Sequence, residues 1–432
     1  MNNIYPNTIL YGVAGTGKTY STLLYAVAIV EDISIKDVSS MEYSQVVKKF
    51  KEYKSKKLIE SITFHQSYSY EEFIEGIKPN LNHNDVSYTL HNGIFKEFCN
   101  NQLDWNFLIH QDVSSKNAKH YRYIIDNITL DNINIKKFKL GTGQDAKIIS
   151  IPISMVSSLI DDLKNNSITI MDLKNSTFEI SSNYDTSILR YYKDIIANII
   201  EKILINKNNI SNKNKVFIID EINRGNISNI FGELITLIEP SKRIGCLEET
   251  RLKLPYSNDY FGVPKNIYIL GTMNSSDRST VLFDNALRRR FQFVEMLPNY
   301  EIFKSLSVEG IDIYSMFKSI NLRIEYLLGK DYLIGHTYFL KLLDYPNLDT
   351  LSNIFRYNIL PLLQEYFFND YSKIRLVLAD NQTEVEEHQF IVEKSLNSDL
   401  FGNYDSDINT LYEINPKAFD IPNSYRKIYH HV

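Results

Sequence analysis

The run Gly12-Val13-Ala14-Gly15-Thr16-Gly17-Lys18-Thr19 sets two glycines five positions apart ahead of a lysine and a hydroxyl. That spacing suits phosphate. Glycines let the backbone wrap an anion with its N–H groups, at the start of a helix whose dipole favours negative charge. Gly12, Ala14, Gly15, Thr16, Gly17 and Tyr20 are expected to shape this cradle. Lys18 would reach the β- and γ-phosphates, and the Thr19 hydroxyl would ligate Mg²⁺. A second group lies two hundred residues on. The apolar run Val216–Ile219 ends in Asp220-Glu221. Asp220 would hold Mg²⁺, largely through water, and Glu221 would orient and polarise the attacking water. A third is Asn274, which closes the apolar run NIYILGTMN. An amide there can hold the lytic water or touch the γ-phosphate. Asn274-Ser275-Ser276-Asp277 also matches the Asn-x-x-Asp that reads guanine, but an asparagine beside the water cannot also sit on the base. Finally, Arg288-Arg289-Arg290 ends a helical stretch. One or two of these side chains could cross a subunit boundary to a neighbour's γ-phosphate. The alternative is favourable charge at a helix C-terminus. Arg278, after Asn274, is a further candidate for such a contact.

These groups need elements to hold them. Thr8–Tyr11 reads as a buried strand, and the apolar-periodic segment 21–30 as a helix, so strand, glycine loop and helix form half of a nucleotide-binding α/β unit. Residues 31–60 have helical spacing and read as a solvated helix pair. Ser61–Phe64 reads as a strand leading into HQSYSYEEFIEGIKP, with a short helix at Ile94–Phe98. Residues 101–208 are rich in Asn, Ile, Ser and Lys, with alternating runs at Lys147–Ser154 and Ile168–Leu173 and a long helix near Ile188–Ile205. They read as a mixed α+β insertion. Strands then follow at Val216–Ile219, Asn266–Leu270 and Phe291–Glu295, with a helix over Ile227–Ile238. Beyond Pro298 the spacing is mostly helical, with a short strand at Ile374–Leu378 and a Tyr-rich tail.

Composition narrows the function classes. The 432 residues are 44% hydrophobic and 23% charged, an ordinary globular balance long enough for two or three domains. A net charge of −5 excludes a uniformly basic nucleic-acid binder, though not a local basic groove. Two cysteines, Cys99 and Cys246, exclude a disulfide framework and a Cys-rich zinc site. No apolar run approaches a membrane span, and residues 1–8 lack the pattern of a signal peptide, so a cytoplasmic protein with no membrane partner is expected. Glu52-Tyr53-Lys54 has the Glu-x-Lys spacing of a nuclease but no suitably placed aspartate.

The string VFIIDEINRGNISNIFGELITLIEPSKR, then LPYS, FGVPKNIYILGTMNSSDRS and FDNALRRRF, resembles the AAA+ motor subunit of McrBC-type modification-dependent restriction systems. GVAGTGKT, TFHQSYSYEEFIEGIKP, LRIEYLLGKDYLIGHTYF and LPLLQEYFFND resemble the same family. The likeness covers residues 9–99 and 215–375. It implies a ring, expected to be a hexamer, that hydrolyses GTP and drives a separate McrC-like nuclease subunit on DNA. It also implies that Lys18 and Thr19 bind phosphate and Mg²⁺, and that Asp220 and Glu221 serve metal and water. Asn274 and Asp277 fall in the family's signature loop, Arg289 and Arg290 in its arginine cluster, and His336 in a lid motif where a structural, hydrogen-bonded role is expected. Such relatives often carry an N-terminal reader of modified DNA; about ten residues precede the P-loop here, so target recognition is expected from another chain or from the insertion.

The expected fold class is therefore α/β, an AAA+ P-loop core with a parallel sheet, an α+β insertion and a mainly helical lid. Residues 1–100 and 215–298 would form the core, 101–214 the insertion, and 299–432 the lid and tail. The expected function is a Mg²⁺-dependent nucleoside triphosphatase, with GTP first and ATP second. A motor remodelling a protein client with ATP is the alternative.

Overall fold

A computed structural model describes residues 4–82, 85–100, 108–115, 120–128, 132–140, 147–164, 168–175, 186–206, 213–276, 285–394 and 410–430. The chain divides into two compact units, Met1–Cys99 with Lys213–Val432, and Asn100–Asn212.

The larger unit is built on five strands: β1 (Asn7–Gly12), β2 (Ile59–Thr63), β3 (Lys215–Asp220), β4 (Ile267–Asn274) and β5 (Gln292–Glu295). They lie in the order β5-β1-β4-β3-β2, and every pairing is parallel. Parallel strands covered on both faces read as unbroken apolar runs. The side chains of Val216, Phe217, Ile218 and Ile219 in β3 are accordingly all buried. Polar chemistry is thereby displaced to the C-terminal strand ends, where the register sets Gly12 beside Asn274 and Thr63 beside Asp220. β4 lies between the strand that enters the P-loop and the strand that ends in the acidic pair. This is the arrangement expected for an AAA+ core, and the α/β fold class stands.

α1 (Lys18–Glu31) follows the glycine loop. Its preceding residue Gly17 is left-handed at φ 74°, with no side-chain cap. The first N–H groups of the helix have no partner within it and face the loop instead. The lid follows β5. Asp312 caps the helix Ile313–Leu328, and further short helices surround a core that includes Phe317, Ile320, Phe339, Phe355 and Tyr425. A buried ion pair, Lys427 to Asp380 at 2.8 Å, ties the C-terminal segment to this core.

Three local expectations need correction, and one stretch left unassigned takes a defined form. The helix expected over Ile227–Ile238 is α-helical only for Ile227–Phe231; Gly232 at φ 50° breaks it, and a 3₁₀ turn, Gly232–Ile235, continues. Ile374–Leu378 is not a strand. It lies in a helix, Tyr371–Val377, whose first turn is capped by Asp370 and whose Ile374 and Val377 bury one face at i, i+3 spacing. The run at Ile168–Leu173 is also helical (Ile170–Asn175), because Thr169 and Asp172 form a reciprocal cap. The stretch after His65 carries a short helix, Tyr70–Phe73, and then an antiparallel hairpin, Glu75–Asn82 with Asp85–Asn92.

The smaller unit is an antiparallel sheet of Tyr121–Ile128, Asn132–Lys139 and Lys147–Pro152. Ile125, Ile133, Ile135, Ile149 and Ile151 alternate onto one face. They share a core with Val156, Leu159, Ile196 and Ile200 of the helices Ile153–Lys164 and Thr186–Asn206. No helix among the described residues is long and apolar enough to cross a membrane.

Candidate nucleotide-binding site

The glycine loop bends as its composition requires. Gly15 and Gly17 hold φ of 78° and 74°, a region that costs other residues strain. Thr16 is buried, and its hydroxyl donates to the Val13 carbonyl at 2.9 Å, bracing the loop from within. Ala14 is half-buried, Thr19 is exposed, and Tyr20 is exposed and stacked on Tyr43 with ring centroids 4.7 Å apart. Lys18 Nζ donates back to the carbonyls of Gly12 (2.9 Å) and Val13 (2.8 Å). Burial lowers its pKa to about 8, against the opposing pull of Glu221 and Asp220. An ammonium that is costly to keep charged in its own fold is one that a polyphosphate stabilises.

The acidic pair is organised by β4. The Thr272 hydroxyl donates to Asp220 Oδ1, and its oxygen accepts from the Glu221 backbone N–H at 3.1 Å. Glu221 itself is left-handed at φ 51°. Asn274 Nδ2 donates to Glu221 Oε1 at 2.6 Å. The Asn274 carbonyl in turn accepts from Asn223 Nδ2 at 3.2 Å. Glu221 Oε2 is buried, accepts no hydrogen bond among the described residues, and stands 3.3 Å from Arg224 Nε. The side chains of Lys18, Asp220, Glu221 and Asn274 thus converge on one strand-end edge. Sequence patterning does not single out Thr272 or Asn223. A lone threonine inside an otherwise apolar strand is the available signal.

Among the described residues no group of three or more His, Cys, Asp or Glu side chains is placed to hold a metal ion. A Mg²⁺ ion here would depend on Thr19 and Asp220 together with phosphate oxygens and water, its usual company. The exposed Thr19 hydroxyl and the Asp220 carboxylate at the loop's edge fit that donor set.

The lid closes directly on the loop. Thr337 N–H donates to the Gly15 carbonyl at 3.0 Å. A Cβ on Gly335 would stand 2.2 Å from Gly15 backbone atoms, so only glycine permits this approach. His336 Nδ1 accepts from the Asn299 N–H at 3.2 Å, which fixes the ring proton on Nε2 in the neutral form. Burial lowers its pKa, favouring that neutral form.

The arginines separate. Arg288 and Arg289 are exposed, and the Arg288 guanidinium lies 5.4 Å from the Phe293 ring centroid. Arg290 is buried, with Nε 3.4 Å from Glu239 Oε2, and its carbonyl accepts from Asn7. The structure therefore does not bring Arg290 to the surface beside Arg289. Asp277 and Arg278 lie outside the described residues.

Two family models and two relatives match parts of the chain. Residues 312–375 match the family described as McrB, alpha-helical lid domain, and residues 196–291 match the AAA domain (dynein-related subfamily). The chain is similar to the type IV methyl-directed restriction enzyme EcoKMcrB subunit of Escherichia coli (strain K12), at 39% identity over 176 residues. That match covers 37% of this chain and 38% of the relative. It is also similar to the type II restriction enzyme BsuMI component YdiS of Bacillus subtilis (strain 168), at 26% identity over 219 residues, 45% of this chain and 59% of the relative. The chain thus spans less than two thirds of either relative.

Proposed function

We propose that the chain is an McrB-like AAA+ protein that hydrolyses a nucleoside triphosphate with Mg²⁺ to drive a restriction complex. The observation that carries this reading is the linked set Thr272–Asp220–Glu221–Asn274 beside Lys18. Lys18 and the N–H groups of the loop bind and orient the phosphates. Thr19 and Asp220 are the residues that would hold Mg²⁺, which supplies charge neutralisation at the β- and γ-oxygens when bound. Glu221 orients and polarises a water, with Asn274 fixing the carboxylate and lying close enough to share that water.

Arg289 is the proposed finger toward a neighbour's γ-phosphate. It is exposed, whereas Arg290 is committed to Glu239. A finger acting in trans requires a ring or other closed homo-oligomer, for which a hexamer is proposed. GTP is the first-choice nucleotide and a McrC-like nuclease the proposed partner on DNA, both by the family resemblance of the sequence motifs. A protein-remodelling ATPase is the second reading; stimulation by DNA or by a nuclease subunit separates the two.

The test is steady-state phosphate release with GTP and ATP in parallel, Lys18→Ala serving as the blank. Glu221→Gln should bind nucleotide and lose at least about 10²-fold in kcat, the scale of a positioned general base. Hydrolysis by Glu221→Gln at the unmutated rate would remove Glu221 from its role.

A further inference from the structure

The smaller unit carries a cluster of lysines that form no ion pair among the described residues. Burial alternates along its three strands, so Tyr121, Lys137, Lys139 and Lys147 share the face that holds Ile125, Ile135 and Ile149. That face is covered by helices over the isoleucines. Toward the strand ends it comes into the open: Lys139 and Lys147 are exposed, Lys137 is half-buried, and Tyr121 is 37% exposed.

Lys137 is the direct cross-strand partner of Lys147, and Lys139 is the partner of Tyr121. Like charges set opposite one another oppose sheet formation. Among the described residues no carboxylate relieves this pair. Asp112 is engaged by Arg122 at 2.7 Å and Asp126 by Lys136 at 2.6 Å. Asp145 belongs to the connection 141–146, outside the described residues. Lys137 Nζ instead rests 3.9 Å from the Tyr121 ring centroid. The cluster is local: residues 100–212 hold 13 Lys and Arg against 12 Asp and Glu.

We propose that this overhanging face, Lys137, Lys139 and Lys147 around Tyr121, binds the phosphodiester backbone of a DNA strand. The lysines spread over two adjacent strands, which lie about 4.8 Å apart, a spacing that lets them meet successive phosphates. Tyr121 adds a ring on which an unpaired base can stack, which favours single-stranded over duplex DNA. The site is independent of the nucleotide reading, because none of its residues belongs to the P-loop edge.

The experiment is fluorescence anisotropy of the full chain with a labelled single-stranded 30-mer and its duplex, titrated at several salt concentrations. Binding is expected for the single strand, with weaker binding of the duplex. The triple variant Lys137→Glu, Lys139→Glu, Lys147→Glu should lose at least tenfold in affinity, and the magnitude of its salt slope should fall by about 2, at about 0.7 per lost phosphate contact. Tyr121→Ala, which leaves all three lysines, should weaken the single strand about tenfold and the duplex little. It supplies a second reading should the triple variant misfold by circular dichroism. Lys18→Ala should bind DNA unchanged, which separates failure of this site from failure of the nucleotide site. Unchanged affinity and slope in a folded triple variant would overturn the proposal. So would equal, lysine-dependent binding of polyglutamate, which would assign the face to an acidic protein.

Discussion

The two sheets of this protein place their polar groups in opposite ways. The parallel core sheet is covered on both faces, so Lys18, Asp220, Glu221 and Asn274 gather at its strand ends, and the carboxylates of Asp220 and Glu221 are hydrogen-bonded to a neighbouring strand. The antiparallel sheet of the insertion is covered on one face. Polar side chains line the other: Asn134 Nδ2 donates to Asn127 at 2.7 Å and Ser150 donates to Asn134 at 2.7 Å, with Asn127 and Ser150 exposed and Asn134 half-buried. The same two-residue period gives either a sharp, pre-organised edge or a broad, solvated surface. What decides is the number of faces that the rest of the chain covers.

The largest effect that tests this contrast concerns the arginines. Arg289→Ala should leave stability within about 0.5 kcal/mol, as exposed positions do, yet cut hydrolysis by about 10³-fold as a lost finger would. Arg290→Ala should do the reverse at first order. It strips the partner from Glu239, whose side chain is 34% exposed, at about 1–3 kcal/mol, less than for a fully buried pair. Thermal melts beside phosphate release would show the crossover. Equal loss of activity without loss of stability in both variants would break it.

Next comes Thr272→Val, nearly equal in shape but without the hydroxyl. It orphans Asp220 Oδ1 and the Glu221 N–H together. A drop of about 10- to 100-fold in kcat is expected, with nucleotide affinity retained and Thr272→Ser restoring most of the rate. If kcat holds while only stability falls, Thr272 is a core residue and no more.

A pH titration sharpens the point. Burial disfavours the charge of Lys18 and lowers its pKa to about 8. Bound phosphates favour the charged form, so binding takes up a proton as pH rises through 8. Nucleotide Kd should be flat below pH 7 and climb toward about tenfold per unit above 8, measurable by calorimetry in buffers of different ionisation heat. The smallest effect belongs to the open sheet. Ser150→Ala removes a hydrogen bond that water replaces, so a change within about 0.5 kcal/mol in a denaturant melt is expected.

Several elements are legible in the residues themselves. The strands and helix around the P-loop, the strand ending in Asp220-Glu221 and the strand ending in Asn274 carry unbroken apolar runs with glycine or acidic punctuation. Such runs have few alternative folds. Residues 371–377 and 170–175 pass for strands because short apolar stretches fit either period. Their caps, Asp370 and the Thr169–Asp172 pair, settle the matter locally in favour of helix. The hairpin at Glu75–Asn92 leaves no comparable trace in the spacing. Its base is fixed by contacts distant in sequence: Lys96 meets Glu75 at 2.6 Å, and Glu75 accepts from the Tyr256 and Ser257 N–H groups at 2.9 Å.

Sequence alone determined the kinds of chemistry available: a glycine loop with Lys18 and Thr19, an acidic pair closing one strand, an amide closing another. These are local patterns, written in residues a few positions apart. Only the tertiary structure decided which groups work on one another. It put Thr272 between the Asp220 carboxylate and the Glu221 backbone N–H, laid Gly335 against Gly15, and buried Arg290 while leaving Arg289 exposed. Those outcomes depend on strand order and lid docking, which join residues as much as 320 positions apart, and no local spacing encodes them.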